Sequence, residues 1–445
     1  MPDNTLPDTD ELQHIVETVL NAAKAQGVDA AEAGAHVEQG LSVTSRLGEV
    51  ETLEHNHDNS LGISVYINQC KGTASTSDFS KDAIVKAVAA ACDIAKYTTK
   101  DEFSGLADAD LMATEFPDMD LNHPWDITTE QAIAQTKECE QIARDVDKRI
   151  VNSEGASLSS HQGVSVYGNS HGFFGANIKS RHSISCTVIA ESEQGMERDY
   201  WYSVSRVPGD LESLQAVGEK AAERTINRLD ARKMETCTTP VIYTAETAKS
   251  LFGHFTSAIS GGALYRKASF LLDAQGQKIF PSWMRIHQQP HIKQALGSAT
   301  FDAEGVATYD RDLITEGVLQ GYILGSYSAR KLGLKTTANA GGVHNLMVEN
   351  SGISFDELMS QMGTGLLVTE MMGQSINLIT GDYSRGASGF WVEQGEIVYP
   401  VEEITIAGNL ADMFSSIEAV ATDVDMRGNI RTGSVLLGQV TVAGQ

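Results

Sequence analysis

Residues 251–260 place a histidine beside an apolar stripe with helical spacing. Apolar side chains recur every three to four positions and predict an amphipathic helix: Ala248, Leu251, Phe252, Phe255, Ala258 and Ile259. A catalytic zinc takes three protein ligands and needs a base near its bound water. Phe255 directly follows His254, and no further histidine or cysteine comes before His287. The pattern therefore favours a packed histidine over a metal ligand.

Two other segments carry residue types used in hydrolysis. Residues 168–172 match G-x-S-x-G with Ser170 as the nucleophile, but a nucleophile elbow needs a helix after the turn, and the following sequence is strand-like. His55 and His57 have a spacing that suits two metal ligands on one strand face, yet the polar sequence around them predicts a loop between two strands. We predict a turn and a solvated loop, and we keep a hydrolase that uses these residues as an alternative.

The composition excludes several classes of function. The 445 residues carry a net charge of −26, from 59 acidic and 33 basic residues. Nucleic acids and anionic membranes are bound through basic patches, so neither is expected as a partner. Five cysteines without a C-x-x-C pair indicate free thiols in a reducing compartment. Because no signal peptide or membrane-spanning run is present, we expect a cytoplasmic protein.

The periodicity predicts an α+β fold, with an N-terminal helix and sheet domain followed by a β-rich C-terminal domain. Two similar segments, 62–68 (GISVYIN) and 163–169 (GVSVYGN), indicate an internal duplication, with chance likeness between two hairpins as the alternative. The expected divisions follow from composition and breaker residues: a flexible tail at 1–10, α+β parts at 11–100 and 126–237, a linker at 101–125 and the C-terminal domain at 238–445.

The chain closely resembles the TldD/PmbA family, and within it the PmbA (TldE) branch. The C-terminal segments that carry the resemblance are TANAG at 337–341, TGDYSRGASGFW at 380–391 and YPVEEITIAGNL at 399–410. In the N-terminal half, NSEG at 152–155 and NS at 169–170 also fit. The resemblance covers nearly the whole chain.

This resemblance implies a two-subunit cytoplasmic metalloprotease. Its TldD-type subunit holds zinc through an HExxxH helix and a cysteine late in the chain. In this sequence His254 takes the first histidine position, Phe255 the glutamate position and Ile259 the second histidine position. No cysteine follows Cys237, and the region of the late cysteine reads MRG at 426–428. The resemblance thus implies a non-catalytic partner that binds no cofactor itself, with zinc expected in the TldD-type subunit.

Family members of this kind are associated with proteolysis of unfolded peptides, including maturation of a peptide antibiotic and degradation of an antitoxin. Their substrate is thought to lie as an extended strand in a cleft. Two glycine-rich segments supply the candidate cleft-lining residues, because glycine lets another backbone approach closely: Asn339, Gly341, Gly342, Asp382, Ser384 and Arg385. Turns between strands are the alternative for both segments, and Arg385 pairs either with a peptide carboxylate or with Asp382.

A second interpretation is an independent homodimeric protein that binds peptides or modulates another protein. Family descriptions link members to DNA gyrase and to a carbon-storage regulator. The acidic net charge argues against direct contact with DNA. On this interpretation the isolated chain forms homodimers and does not require the TldD-type subunit.

Overall fold

The computed structural model describes residues 6–444 and, within them, every side chain except that of Gln374. It confirms the predicted α+β class. One six-stranded sheet comes from the N-terminal half, and a six-stranded and a five-stranded sheet come from the C-terminal half. Of the helices in this part of the chain, none combines the length and the apolar character that a bilayer crossing requires.

The N-terminal half repeats one order of elements: a helix, three antiparallel strands and a second helix. The first copy is α1 (Thr9–Ala25), β1 (Ala30–Arg46), β2 (Glu49–Ile67), β3 (Cys70–Thr76) and α2 (Lys81–Tyr97). The second copy is α3 (Thr129–Asp145), β4 (Ile150–Asn169), β5 (Phe174–Ser192), β6 (Gly195–Ser205) and α4 (Leu214–Asn227). The order of elements thus agrees with the predicted duplication.

The six strands form one sheet in the order β3-β2-β1-β4-β5-β6, so the predicted units 11–100 and 126–237 each supply three strands to a single layer. The similar segments 62–68 and 163–169 lie on β2 and β4. These strands are not equivalent in the repeat, because the counterpart of β2 is β5. Both strands instead pair with the same neighbour, β1.

Alternation along β1 divides the sheet into two faces. Apolar side chains at positions 31, 33, 35 and 37 pack on α1 and α2, and those at 41 and 43 pack on α3 and α4. The even-numbered residues 32–44 point to the opposite side and are partly buried. We call the surface formed by these residues and their partners on β2 and β4 the polar face.

Side-chain caps explain where the helices begin. Asp8 and Ser80 each accept a hydrogen bond from a first-turn N–H, and Thr128 and Gln131 form a capping box. Because Asp8 caps α1, this helix begins two residues before the end of the predicted tail 1–10. Residues 1–5 of that tail lie outside the described residues.

Segment 101–125, predicted to be a linker, runs as an ordered strap from α2 to α3. The Tyr327 hydroxyl donates to Asp101 at 2.6 Å, and the Arg330 guanidinium donates to the Phe103 carbonyl at 3.3 Å. These contacts attach the segment, which we call the strap, to the C-terminal half. The strap therefore joins the N-terminal sheet to the rest of the fold.

The C-terminal half is β-rich, as predicted. Its helices are α5 (Ala245–Ala258), α6 (Gly261–Tyr265), α7 (Ser326–Leu332), α8 (Phe355–Met362) and α9 (Leu410–Ser415). Its strands are β7 (Cys237–Tyr243), β8 (Ile286–Gln288), β9 (Arg311–Thr315), β10 (Val318–Leu319), β11 (Leu346–Val348), β12 (Gly365–Asn377), β13 (Asp382–Glu393), β14 (Glu396–Asn409), β15 (Ile417–Val420), β16 (Ile430–Arg431) and β17 (Val435–Ala443). The two sheets have the orders β14-β13-β12-β7-β17-β15 and β10-β9-β8-β11-β16.

A buried carboxylate holds the turn between β1 and β2. Leu47 and Gly48 have φ angles of 52° and 79°. Their N–H groups donate to the two carboxylate oxygens of Glu140 on α3, at 2.7 and 3.0 Å. Glu140 is 1% exposed. Since a buried carboxylate without partners is costly, these two bonds anchor the first copy of the repeat to a helix of the second.

We predict that Glu140→Gln lowers the free energy of unfolding by about 1–3 kcal/mol, because the amide can satisfy only one of the two turn N–H groups. Glu138→Gln, at an exposed position on the same helix, is the matched control and should change stability by less than about 0.5 kcal/mol. Urea denaturation followed by circular dichroism measures both. Equal effects of the two substitutions would contradict the anchoring role.

Candidate functional site

Helix α5 carries the histidine that the sequence singles out. Its apolar stripe packs into the main core of the C-terminal half. The first N–H of the helix, that of Ala245, donates to the Ser434 hydroxyl at 3.0 Å, and Ile259 caps the carboxyl end. The helix is therefore held at both ends, and its orientation determines which of its side chains are buried in the core.

The zinc motif that the family resemblance implies has polar residues at two further positions of this helix. In this chain, core residues fill both positions. Phe255 and Ile259 have no exposed surface. The Phe255 ring lies edge-on to Phe280 and Phe414, with centroids 5.1 and 6.0 Å apart. Burial among aromatic rings leaves a glutamate base or a second imidazole without solvation at these positions.

His254 lies at the margin of this core. Its Nε2 atom is buried and has no hydrogen-bond partner among residues 6–444. The ring lies edge-on to Tyr383, with centroids 6.0 Å apart. Burial lowers the pKa of His254 to about 4, and the charge of Arg385 acts in the same direction. The imidazole is therefore neutral at physiological pH.

Zinc does not fit this site. His254 supplies one nitrogen, and the groups that bear on it are a phenol ring and the cationic guanidinium of Arg385, which opposes a further positive charge. Nowhere in the described part of the chain do three histidine, cysteine or carboxylate side chains converge to hold a metal. We therefore derive no chemical step through a metal held by this chain.

An arginine clamp occupies the region where the late cysteine of the family motif would fall. The Arg427 guanidinium lies 4.2 Å from the ring centroid of Trp201 and 4.3 Å from that of Tyr202. It also donates to Asp425 at 2.9 Å, and Lys249 of α5 reaches the same carboxylate at 2.5 Å. The clamp thus ties α5 to β6 of the N-terminal sheet.

Asn339, a candidate cleft residue, is buried with its amide already bonded. Its amide nitrogen donates to Gln288 at 2.9 Å and to the Gly342 carbonyl at 2.8 Å, and its oxygen accepts from Arg311 at 3.2 Å. Gly341 and Gly342 have φ angles of 94° and 123°, which favour glycine. No described atom lies within 4 Å of a Cβ placed on Gly342. Gly342, rather than the amide, therefore remains open to a neighbouring backbone.

The second candidate segment lies on β13. Asp382 and Ser384 are exposed, and Asp382 accepts hydrogen bonds from neighbouring side chains. The Nε of Arg385 donates to the Gly373 carbonyl at 2.9 Å. The fold therefore brings Arg385 towards His254. Among the described residues no hydrogen bond or ion pair joins this segment to the one around position 339, so a shared peptide cleft stays a prediction.

The alternative hydrolytic residues are not arranged for catalysis. The Ser170 hydroxyl accepts from the Ala31 N–H at 3.1 Å, and its segment is the predicted turn, followed by strand β5. The predicted loop at His55 and His57 is wrong, because both lie on the 19-residue strand β2. Pairing with β1 along its whole length extends this strand through polar residues that no local pattern marks as a strand.

Sequence reasoning missed a set of polar side chains on the polar face. The hydroxyls of Tyr66 and Tyr167 donate to the two carboxylate oxygens of Glu32 at 2.8 and 2.9 Å, and Lys71 lies 3.4 Å from the same carboxylate. Burial and the Glu32 charge raise the pKa of both phenols above 10. The available signal was the likeness of 62–68 and 163–169, in which the two tyrosines hold the same place.

Comparison with known proteins is consistent with this architecture. Residues 31–95 match the family model of PmbA/TldA metallopeptidase domain 1, residues 122–229 that of the central domain, and residues 236–444 that of the C-terminal domain. These three matches, which together cover most of the chain, define a protein built from metallopeptidase-family domains. The chain belongs to the PmbA/TldD family.

Individual relatives match over nearly their full length. Metalloprotease PmbA from Escherichia coli O157:H7 is 50% identical over 98% of this chain and 96% of its own. A crystal structure described as a proposed modulator of DNA gyrase, from Bacteroides thetaiotaomicron VPI-5482, covers 98% of this chain and 100% of its own at 27% identity, with a TM-score of 0.93. TldE from Thermococcus kodakarensis shares the fold, with a TM-score of 0.85 at 19% identity over 97% of this chain and 100% of its own.

We predict that Phe255→Glu lowers the free energy of unfolding by more than about 3 kcal/mol, because it places an unpaired carboxylate in the core. Phe255→Leu, which keeps the position apolar, is the matched control and should cost about 1–2 kcal/mol. Urea denaturation measures the difference. If the glutamate were tolerated as well as the leucine, the position would not be locked by packing.

The lowered pKa of His254 predicts a pH-dependent stability. With a pKa of 6.5 when unfolded and about 4 when folded, the unfolded chain binds the extra proton, so stability is lost as the pH falls from 6.5 through 4. His254→Phe should therefore gain melting temperature relative to the unmodified chain within that window and should differ little above it. All other histidines are common to both proteins, so the difference isolates His254. A pH-independent difference would contradict the prediction.

Proposed function

We propose that this chain is the non-catalytic subunit of a cytoplasmic two-chain metalloprotease. It would pair with a TldD-type subunit that supplies the zinc, and the complex would cleave unfolded peptides. The observation that carries the proposal is the complete burial of Phe255 and Ile259 at two positions where the family motif needs polar groups. The PmbA and TldE names of the relatives support it.

In this role the chain would supply part of the surface along which the peptide lies. The backbone at Gly341 and at the open Gly342 would line the peptide path, together with the exposed part of β13 around Ser384 and Arg385. Main-chain contacts along such a path tolerate many sequences. The Arg427 clamp would hold the N-terminal sheet and α5 in one orientation. The partner would bring the metal and the general base.

The experiment compares this chain alone, the TldD-type subunit of the same organism alone, and the two co-expressed. We expect a stable complex that cleaves an unfolded, casein-like substrate with zinc dependence and chelator sensitivity. This chain alone should be inactive with added zinc, and His254→Phe should leave the activity of the complex unchanged. Chelator-sensitive turnover by the isolated chain would refute the proposal.

The same preparations test the alternative of an independent, homodimeric peptide-binding or modulatory protein. The description of the Bacteroides structure as a proposed gyrase modulator favours that role. Light scattering of the mixed subunits decides between the two. Homodimers that persist in the presence of the TldD-type subunit would support the alternative, whereas a mixed complex supports the metalloprotease subunit.

A further inference from the structure

A cavity of about 720 Å³ lies on the polar face, and none of its lining residues belongs to α5. It forms where the sheet, the strap and the C-terminal half meet. Gly34 and Gly62 pair across β1 and β2 and line it. No described atom lies within 4 Å of a Cβ placed on either glycine. The cavity therefore has an open glycine floor, over which a ligand can approach the backbone closely.

One wall of the cavity is built from the hydrogen-bonded set around Glu32. Tyr66 is 6% exposed, and its hydroxyl and that of Tyr167 are both committed to the Glu32 carboxylate. Lys71 forms an ion pair with the same group at 3.4 Å. Because these side chains satisfy one another, the wall is preorganised and its net charge is balanced.

A second wall carries a charge that is not balanced. Asp101 pairs with Lys331 at 3.2 Å. Glu304 accepts the Ser326 N–H at 2.8 Å and has no ion-pair partner in the described part of the chain. After burial itself, the Glu304 charge contributes to raising the pKa of Asp302 to about 6. The cavity is thus lined by one carboxylate that has a hydrogen bond to the protein but no ion-pair partner among residues 6–444.

We propose that this cavity binds a primary ammonium group that pairs with Glu304 over the glycine floor. An ammonium is a compact charge with three donors, and the Glu304 oxygen that accepts the Ser326 N–H keeps a second lone pair, so both carboxylate oxygens can accept from it. The two sources of this chemistry are the N-terminus of an extended peptide and a small free amine. The inference goes beyond the proposed function and does not depend on it, because the isolated chain contains the whole cavity.

Calorimetry on the unmodified chain tests the chemistry directly. The probes are a lysine-free hexapeptide with a free N-terminus, the same peptide N-acetylated, and 1,5-diaminopentane. We expect acetylation to weaken peptide binding by about tenfold or more, since it removes a charged hydrogen bond. If the diamine binds at least as tightly as the free peptide, the site is assigned to small amines. If the peptide binds more tightly than the diamine, the site is assigned to peptide N-termini. Equal affinity for the acetylated peptide, or no binding of any probe at about 1 mM, overturns the proposal.

Two pairs of variants locate the site. Glu304→Gln keeps an oxygen for the Ser326 N–H and removes the charge, so it should weaken the free peptide by about tenfold, whereas the exposed Glu223→Gln should not. Gly62→Leu fills the cavity and should abolish binding, whereas Gly209→Leu, at an open exposed glycine, should not.

Melting curves establish whether each variant is folded. If Gly62→Leu does not fold, the Glu304→Gln pair and the acetylation comparison still decide the question. Unchanged affinity in a folded Glu304→Gln protein overturns the proposal.

Discussion

The complete burial of one face of α5 constrains the rest of the C-terminal half. Phe255 and Ile259 belong to a core of interlocking apolar side chains, so the polar ligands of a metallopeptidase at these positions would cost several kcal/mol. His254 is left with a neutral ring and an unbonded nitrogen. The packing that stabilises this domain is thus incompatible with metal ligands at these positions of α5.

The N-terminal sheet shows a complementary division of roles. Its apolar face is closed by two pairs of helices, and its polar face is left for the strap, the C-terminal half and the cavity. Glu32 receives a phenol from the strand on either side, which explains why similar segments occur on β2 and β4. The two segments are alike because each places a tyrosine beside the same carboxylate. The duplication is instead visible in the order of helices and strands.

Local sequence predicted much of the architecture. Ser80, Thr128 and Gln131 cap helices because their side chains bond neighbouring N–H groups, and such bonds depend on a few adjacent residues. The same reasoning failed at His55 and His57, where exposed polar residues form a strand because β1 lies beside them. The contacts between the strap and α7 are likewise distant in sequence, so no local pattern marks them.

Residue types alone establish that α5 has an apolar stripe, that its motif retains one histidine, and that the chain is strongly acidic. The first two features depend on neighbouring positions, and the third depends on composition. They do not establish the Arg427 clamp, in which Arg427 and Tyr202 stand 225 positions apart, or the cavity that Glu304 and Gly34 line together. Such contacts depend on how whole sheets and helices pack, and no local periodicity encodes that packing.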